Sequence, residues 1–128
     1  MRNFRELEVW NIGVEIAEKV YELAAKLPAE EKFGLKSQLQ RSAVSIPSNI
    51  AEGCSRDSNA EFKRYLQIAI GSSYELETQL ILTRNLRLLN AGSVEVILER
   101  VSQEQRKLNS FIGKVRAQQP NSKYPLST

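Results

Sequence analysis

Apolar residues recur along nearly the whole chain at alternating intervals of three and four, and only a few helix breakers interrupt them. That spacing places one apolar stripe along one side of a helix, and it leaves no room for the strict alternation of a strand. The breaks fall at Leu27-Pro28, at Gly53 to Asp57 and at Asn90-Ala91-Gly92. They divide the chain into four helical segments joined by short connections. Short connections favour antiparallel neighbours, so the expected architecture is all-α, an antiparallel up-down-up-down four-helix bundle. At 128 residues the chain is long enough for one domain with its own core. Residues 1–119 are read as the bundle domain and 120–128, PNSKYPLST, as a flexible C-terminal tail.

The first segment carries Leu7, Trp10, Val14, Ala17, Tyr21 and Ala24 as its seam, with a bulkier stripe of Val9, Ile16, Val20, Leu23 and Leu27 beside it. In the second, Leu35, Leu39, Ala43, Ile46 and Ile50 continue the period across Pro47. A proline there leaves the Ala43 carbonyl without its donor, so one helix kinked at Pro47 is expected, with a helix restarted at the proline as the alternative. The third segment opens on the capping box Ser58-Asn59-Ala60-Glu61. Its seam is Phe62, Leu66, Ala69, Ser73, Leu76, Leu80 and Thr83. If helical from Ser58 to Leu89 it is the longest, about 48 Å at the usual rise, and projects beyond its neighbours. The fourth follows Gly92 with Ser93 as N-cap and the seam Val94, Ile97, Val101, Leu108, Phe111, Ile112 and Val115, interrupted at Gln105.

Composition excludes several chemistries. There is no histidine and one cysteine, Cys54, so neither a Ser-His-Asp or Cys-His nucleophile, nor an HExxH zinc site, nor a disulfide within the chain can form. No cofactor or metal is expected. No apolar run approaches about 18 residues, and the first residues lead into charged sequence instead of an apolar leader core. The expected setting is cytoplasmic, without membrane contact.

The net charge of +3 conceals a gradient. Residues 6–27 hold five Glu and two Lys, while residues 93–128 hold six basic and three acidic residues. Arg84, Arg87, Arg100, Arg106, Lys107, Lys114 and Arg116 are the candidate nucleic-acid-binding residues, since a basic helix face binds phosphate backbone by counterion release. Ordinary solvation of those side chains, or contact with the acidic first helix, stands beside that reading. Trp10, Tyr21, Phe62 and Phe111 lie on seams and are expected to pack, with no aromatic cluster among basic residues to serve as a stacking platform.

Between Gln38 and Gly53 polar residues crowd the apolar face: Gln38, Ser42, Ser45 and Asn49. Buried polar groups need partners, and Ser72, Ser73, Glu75 and Gln79 of the third segment are the candidates. A buried network that fixes helix register is one reading and a subunit contact another. Catalysis by Ser42 or Ser45 with a lysine, or by Arg41 holding an anion, with Glu52, Glu75 and Glu77 as nearby carboxylates, is a distant third because no GxSxG or SxxK arrangement supports it. The chain is therefore expected not to be an enzyme.

QLQRSAVSIPSNIAEG, residues 38–53, closely resembles the signature of bacterial four-helix-bundle proteins encoded in intervening sequences of 23S ribosomal RNA genes. FRELEVWNIGVEIAEKVYELAAKLPAEEKFGL and EFKRYLQIAIGSSYELETQL extend the resemblance to the first and third helices, so that it covers about residues 4–118. Arg41, Ser45, Pro47, Asn49, Glu52 and Gly53 match the most distinctive positions and are expected to be structural or interfacial. The resemblance implies a homo-oligomer, a pentamer, and transfers no catalytic residue. Related accessory proteins of diversity-generating retroelements imply a reverse transcriptase as a partner. Two functional readings follow: an oligomeric bundle binding RNA or DNA through basic helix faces, or a scaffold for a nucleic-acid enzyme.

Overall fold

The computed structural model describes residues 2–31 and 33–118, so the expected C-terminal tail, with Lys123, lies outside the described residues. A 3-10 turn, Phe4–Glu6, leads into α1 (Glu8–Ala24). A second 3-10 turn, Ala29–Glu31, precedes α2 (Leu35–Cys54), and α3 (Asn59–Asn85) and α4 (Ala91–Gln118) follow. No strand occurs among the described residues. The helices pack in chain order as a ring, α1 closing on α4. Residue numbers run in opposite directions across the seams. Ser42 meets Gln79 and Ser45 meets Ser72 between α2 and α3. Glu77 meets Gln105 and Arg84 meets Glu95 between α3 and α4. Glu15 meets Arg100 and Glu8 meets Lys107 between α1 and α4.

The α3 seam is buried as its spacing predicts, from Phe62 to Thr83. In α1 the order of the two stripes is reversed. Val9, Ile12, Gly13, Ile16, Val20, Leu23 and Ala24 face the core, whereas Tyr21 of the expected seam is 48% exposed and Trp10 half-buried on Phe4. The bulkier stripe removes more apolar area from water when buried, at roughly 25 cal/mol per Å². Val9, Ile16 and Val20 are therefore core residues. In α4 the interruption expected at Gln105 falls one residue earlier: the spacing from Val101 lands on Glu104, which is fully buried, and Leu108 continues the stripe.

The helix ends also differ from expectation. The Ser58 side chain accepts from the Glu61 backbone N–H at 3.1 Å, the capping-box half that starts α3. α3 stops at Asn85, short of Leu89. Arg87 takes a left-handed φ of 59°, and the Leu88 N–H reaches back to the Thr83 carbonyl at 2.9 Å. That closure is the Schellman motif, with an arginine at the position usually held by glycine. Leu89, buried after it, supplies an apolar plug beside the cap. Because the chain has already turned, Asn90 and not Ser93 caps α4: its Oδ1 accepts from the Ser93 N–H at 3.0 Å. α3 has 27 residues and α4 has 28, so α3 is not the longest helix.

α2 is a single helix that contains Pro47, not two helices joined at it. It packs closely on α3 at Gly53, where an added Cβ would sit 2.8 Å from Tyr65 Cβ and 3.2 Å from Phe62 Cδ1. Gly53→Ala is expected to destabilise the fold by about 1–3 kcal/mol through overpacking. Gly113→Ala, with nothing within 4 Å of its Cβ position, should stabilise it by up to about 1 kcal/mol. Urea unfolding of the two variants checks the contrast. By the same measurement Arg87→Gly should stabilise by about 0.5–1 kcal/mol, since glycine adopts the left-handed conformation without steric strain.

Candidate functional site

The polar residues of α2 form a ladder against α3. Ser42 is buried, and its hydroxyl donates to Gln79 Oε1 at 2.7 Å. Ser45 and Ser72 share a hydrogen bond of 2.8 Å. The Asn49 amide donates to the Ser45 carbonyl at 2.8 Å and to its hydroxyl at 2.9 Å. Ser73 turns back to the Ile70 carbonyl of its own helix, and Gln38 and Glu75 are exposed. Among the described residues the hydroxyl partners of the two serines are the Leu39 carbonyl, Gln79, Ser72 and Asn49. The ladder satisfies polar groups that α2 places inside the bundle, and each rung fits one register of α2 on α3.

The other distinctive positions serve the same corner. Arg41 is exposed. Glu52 accepts from Arg56 Nη2 at 2.8 Å, and this bond holds the Arg56 guanidinium above its ordinary pKa. Arg56 also lies over the Tyr65 ring and donates to its hydroxyl at 2.9 Å. Cys54 is a buried thiol whose pKa burial pushes up. Glu77, named among the carboxylates near the polar stretch, accepts from Gln105 Nε2 at 2.9 Å across to α4.

At the centre of the bundle three elements meet without a hydrogen bond. A Cβ built on Gly13 would lie 3.2 Å from Glu104 Oε2 and 3.3 Å from Pro47 Cβ and Cδ. Gly13 thus admits both the Pro47 ring of α2 and the Glu104 carboxyl of α4 against the α1 backbone. Neither Glu104 oxygen has a hydrogen-bond partner. Burial raises the Glu104 pKa to about 8. The fields of Arg100 and Lys107 on its own helix oppose the rise, and that of Glu8 on α1 adds to it. α2 contributes the uncharged Pro47, and Glu77 of α3 is engaged with Gln105. Glu104 lies on the three-four count that runs from Val101 to Leu108, one residue before the Gln105 at which the sequence places the interruption.

The seven nominated cations do not form one patch. Arg100 holds Glu15 with two bonds, 2.8 Å from Nε and 3.0 Å from Nη2, and this pairing holds the Glu15 carboxyl below its usual pKa. Lys107 pairs with Glu8 at 3.2 Å and Arg84 with Glu95. Arg106 contacts Ser102. Arg87, Lys114 and Arg116 are exposed. Arg84 and Arg87 stand at the end where α3 hands over to α4. Lys107, Lys114 and Arg116 stand at the opposite end, roughly 30 Å along α4 by its rise. That second end also carries the N-terminal turn, the end of α2 and the start of α3, as the contacts Arg2–Cys54 and Phe62–Phe111 show. Over residues 2–8, 52–64 and 105–118 it gathers nine Lys and Arg against five Asp and Glu. Arginines lie over rings there: Arg2 over Phe62, Arg5 over Phe4, Arg56 and Arg64 over Tyr65. This mixing of arginine with aromatic rings was not legible from the sequence, which scatters those residues over 64 positions.

Among the described residues no cluster of side chains is arranged to hold a metal ion, and no helix is long and apolar enough to cross a membrane.

A family model described as 23S rRNA-intervening sequence protein matches residues 5–110. Among solved structures, a protein of unknown function from the S23 ribosomal protein family of Bacteroides thetaiotaomicron is similar. Its TM-score is 0.76 at 30% identity, over 81% of this chain and 97% of that one. No curated protein matches the chain.

The buried carboxyl sets a pH dependence with a definite sign. A folded pKa of about 8 lies above the unfolded value, about 4.3, so between the two the native state holds a proton that the unfolded chain releases. Stability from this group is intact below the unfolded pKa and is lost as pH rises through the folded one. The unfolding free energy is expected to fall by roughly 3–5 kcal/mol between about pH 5 and pH 9. Glu104→Leu, which keeps the stripe apolar, should flatten that fall; urea unfolding across the pH range measures it.

Proposed function

The chain belongs to the 23S rRNA-intervening sequence protein family, and from that premise we propose that it is a non-catalytic, self-associating bundle that binds RNA with the cation-rich end of the molecule. One observation carries the reading. Between Gln105 and Gln118 the α4 surface presents Arg106, Lys107, Lys114 and Arg116 with no acidic residue in the segment. The carboxyl just before it, Glu104, is buried and so gives that surface no negative charge. Among the described residues only Lys107 of the four is ion-paired, and its partner Glu8 is itself exposed. Arg116, in the last turn of α4, is also favoured by the helix dipole. Arg84 and Arg100, committed to Glu95 and Glu15, are weaker candidates than the sequence made them.

Self-association is supported by the outer side of α3. Ile68, Leu82 and Leu86 are all at least a third exposed and lie along one side of α3 and its C-cap, with Tyr74, also exposed, about 120° round the helix from Ile68. An apolar strip of this kind suits subunit contact, in a homo-oligomer for which the family resemblance implies five copies. The same strip suits a scaffold role, in which a polymerase or reverse transcriptase docks and itself holds the nucleic acid.

RNA binding measured across a salt series separates the readings. The wild-type protein should bind structured or single-stranded RNA at low salt, with a log–log slope of about −3 if all four α4 cations contact phosphates of a single strand. Neutralising Arg106, Lys107, Lys114 and Arg116 to Gln should remove most of that slope. Gln at Arg84 and Arg87 should change it little. Absence of binding at low salt, or a slope unmoved by the α4 changes, would sink the proposal. The oligomer is checked separately by light scattering: Ile68→Glu with Leu82→Glu should reduce the particle mass toward the 14.5 kDa of one chain.

A further inference from the structure

The start of α1 and the second half of α4 leave a cleft of about 340 Å³ between them, with Leu7 and Val9 on the α1 side and Lys107, Phe111 and Lys114 on the α4 side. Spacings of four and three put Lys107, Phe111 and Lys114 on one side of α4. A cation therefore stands about one turn from the ring in each direction along the helix. Phe111 is half-buried. It meets the buried Phe62 ring of α3 edge-to-face, with centroids 5.5 Å apart, and this contact fixes the ring in position. Leu7, across the cleft, is half-buried as well.

The two lysines are held differently. Lys107 Nζ lies 3.2 Å from the carboxylate of exposed Glu8, which also lines the cleft, so the pair keeps an ammonium beside the opening. Lys114 is exposed and has no ion-pair partner among the described residues. Lysine stems cover apolar surface at many helix margins. Such cover needs no recess, whereas here an apolar recess lies between the two cations. Its volume is at the lower end of the usual range for small-ligand sites, roughly 300–1,000 Å³.

We propose that this cleft receives one unpaired base of a single-stranded RNA. The base lies between Leu7 and Phe111, and the phosphates on either side of that nucleotide meet Lys107 and Lys114. The inference rests on the reading of the α4 cations as an RNA-binding surface, and it narrows the ligand to RNA with unpaired bases. Recognition of single strands combines a cationic track for the backbone with an aromatic side chain for the base, and this cleft holds both. In a duplex the bases are stacked and paired, and bringing one out carries the cost of both interactions. A paired strand could use the lysines but not the recess.

Fluorescence anisotropy at low salt tests it, with the full chain titrated into a labelled uridine hexamer and into the same ribose-phosphate backbone without bases. The two ligands carry equal numbers of phosphates, so the ionic contribution cancels in the ratio of their affinities. Wild type should bind the hexamer about tenfold more tightly than the bare backbone, in line with the stacking of one base on an aromatic side chain. Phe111→Leu, which keeps apolar bulk against Phe62, should bring the ratio close to one and leave binding of the bare backbone unchanged. That unchanged binding also reports that the variant is folded. Leu7→Ala, outside the buried core, should lower the ratio too and serves where Phe111→Leu loses both ligands. Lys114→Gln should weaken both ligands alike and keep the ratio. Equal binding of the two ligands by wild type, or a ratio unmoved by Phe111→Leu and by Leu7→Ala, would overturn the base site and leave RNA binding by the cations standing. No binding of either ligand would remove the RNA-binding reading and this site with it.

Discussion

The centre of the bundle rests on the absence of a side chain at Gly13. With no Cβ there, the α1 backbone comes within van der Waals reach of the Pro47 ring and of the Glu104 carboxyl, and α2 and α4 converge on α1 at one level. Any larger residue would push at least one of them outward, because Gly13 is itself buried. Pro47 leaves the Ala43 carbonyl of α2 without its helical donor. An ionised Glu104 at the same level would be an isolated charge far from water. The neutral acid is the form that this packing holds, which is why the carboxyl titrates so late.

How much of this was legible follows from what each helix depends on. α3 could be read nearly in full, because its seam is apolar or small at every step and its N-cap is local, a serine bonding to a backbone N–H three residues on. α1 offered two stripes of similar regularity, and only the placement of α2 and α4 beside it decides which one faces in. The end of α3 escaped because Arg87 takes a conformation that sequence reasoning reserves for glycine or asparagine. Its energetic support comes from the Leu88–Thr83 closure and the buried Leu89, neither of which has a local signature.

The polar partners divide along the same line. The need for partners to Ser42 and Ser45 was visible in α2, and Gln79 and Ser72 were among the candidates in α3. The pairing of Arg100 with Glu15, across 85 positions, was foreseen only as contact of basic residues with the acidic first helix. Charge counts along the chain exaggerated the separation of acidic α1 from basic α4, since the two helices lie side by side and neutralise one another through Glu15–Arg100 and Glu8–Lys107. What remains unneutralised is set by which end of the bundle a residue occupies, a property of topology that no count along the sequence contains.

The most distinctive stretch of the chain therefore performs structural work, and this bears on where function can reside. Ser45 and Asn49 are half-buried in the ladder, Pro47 packs on Gly13, Gly53 lets α2 and α3 touch, and Glu52 holds Arg56 beside Tyr65. Residues so engaged have few atoms left for a ligand; of the six, Arg41 alone is exposed without a bond to another of the described residues. The groups with unspent capacity are elsewhere: the α4 cations that have no carboxylate partner among the described residues and the exposed apolar side chains of α3. The signature that makes the fold recognisable and the surface that would meet a partner are thus different residues on different helices. Chains could share the first while differing in the second, so likeness in fold fixes the architecture well and the ligand poorly.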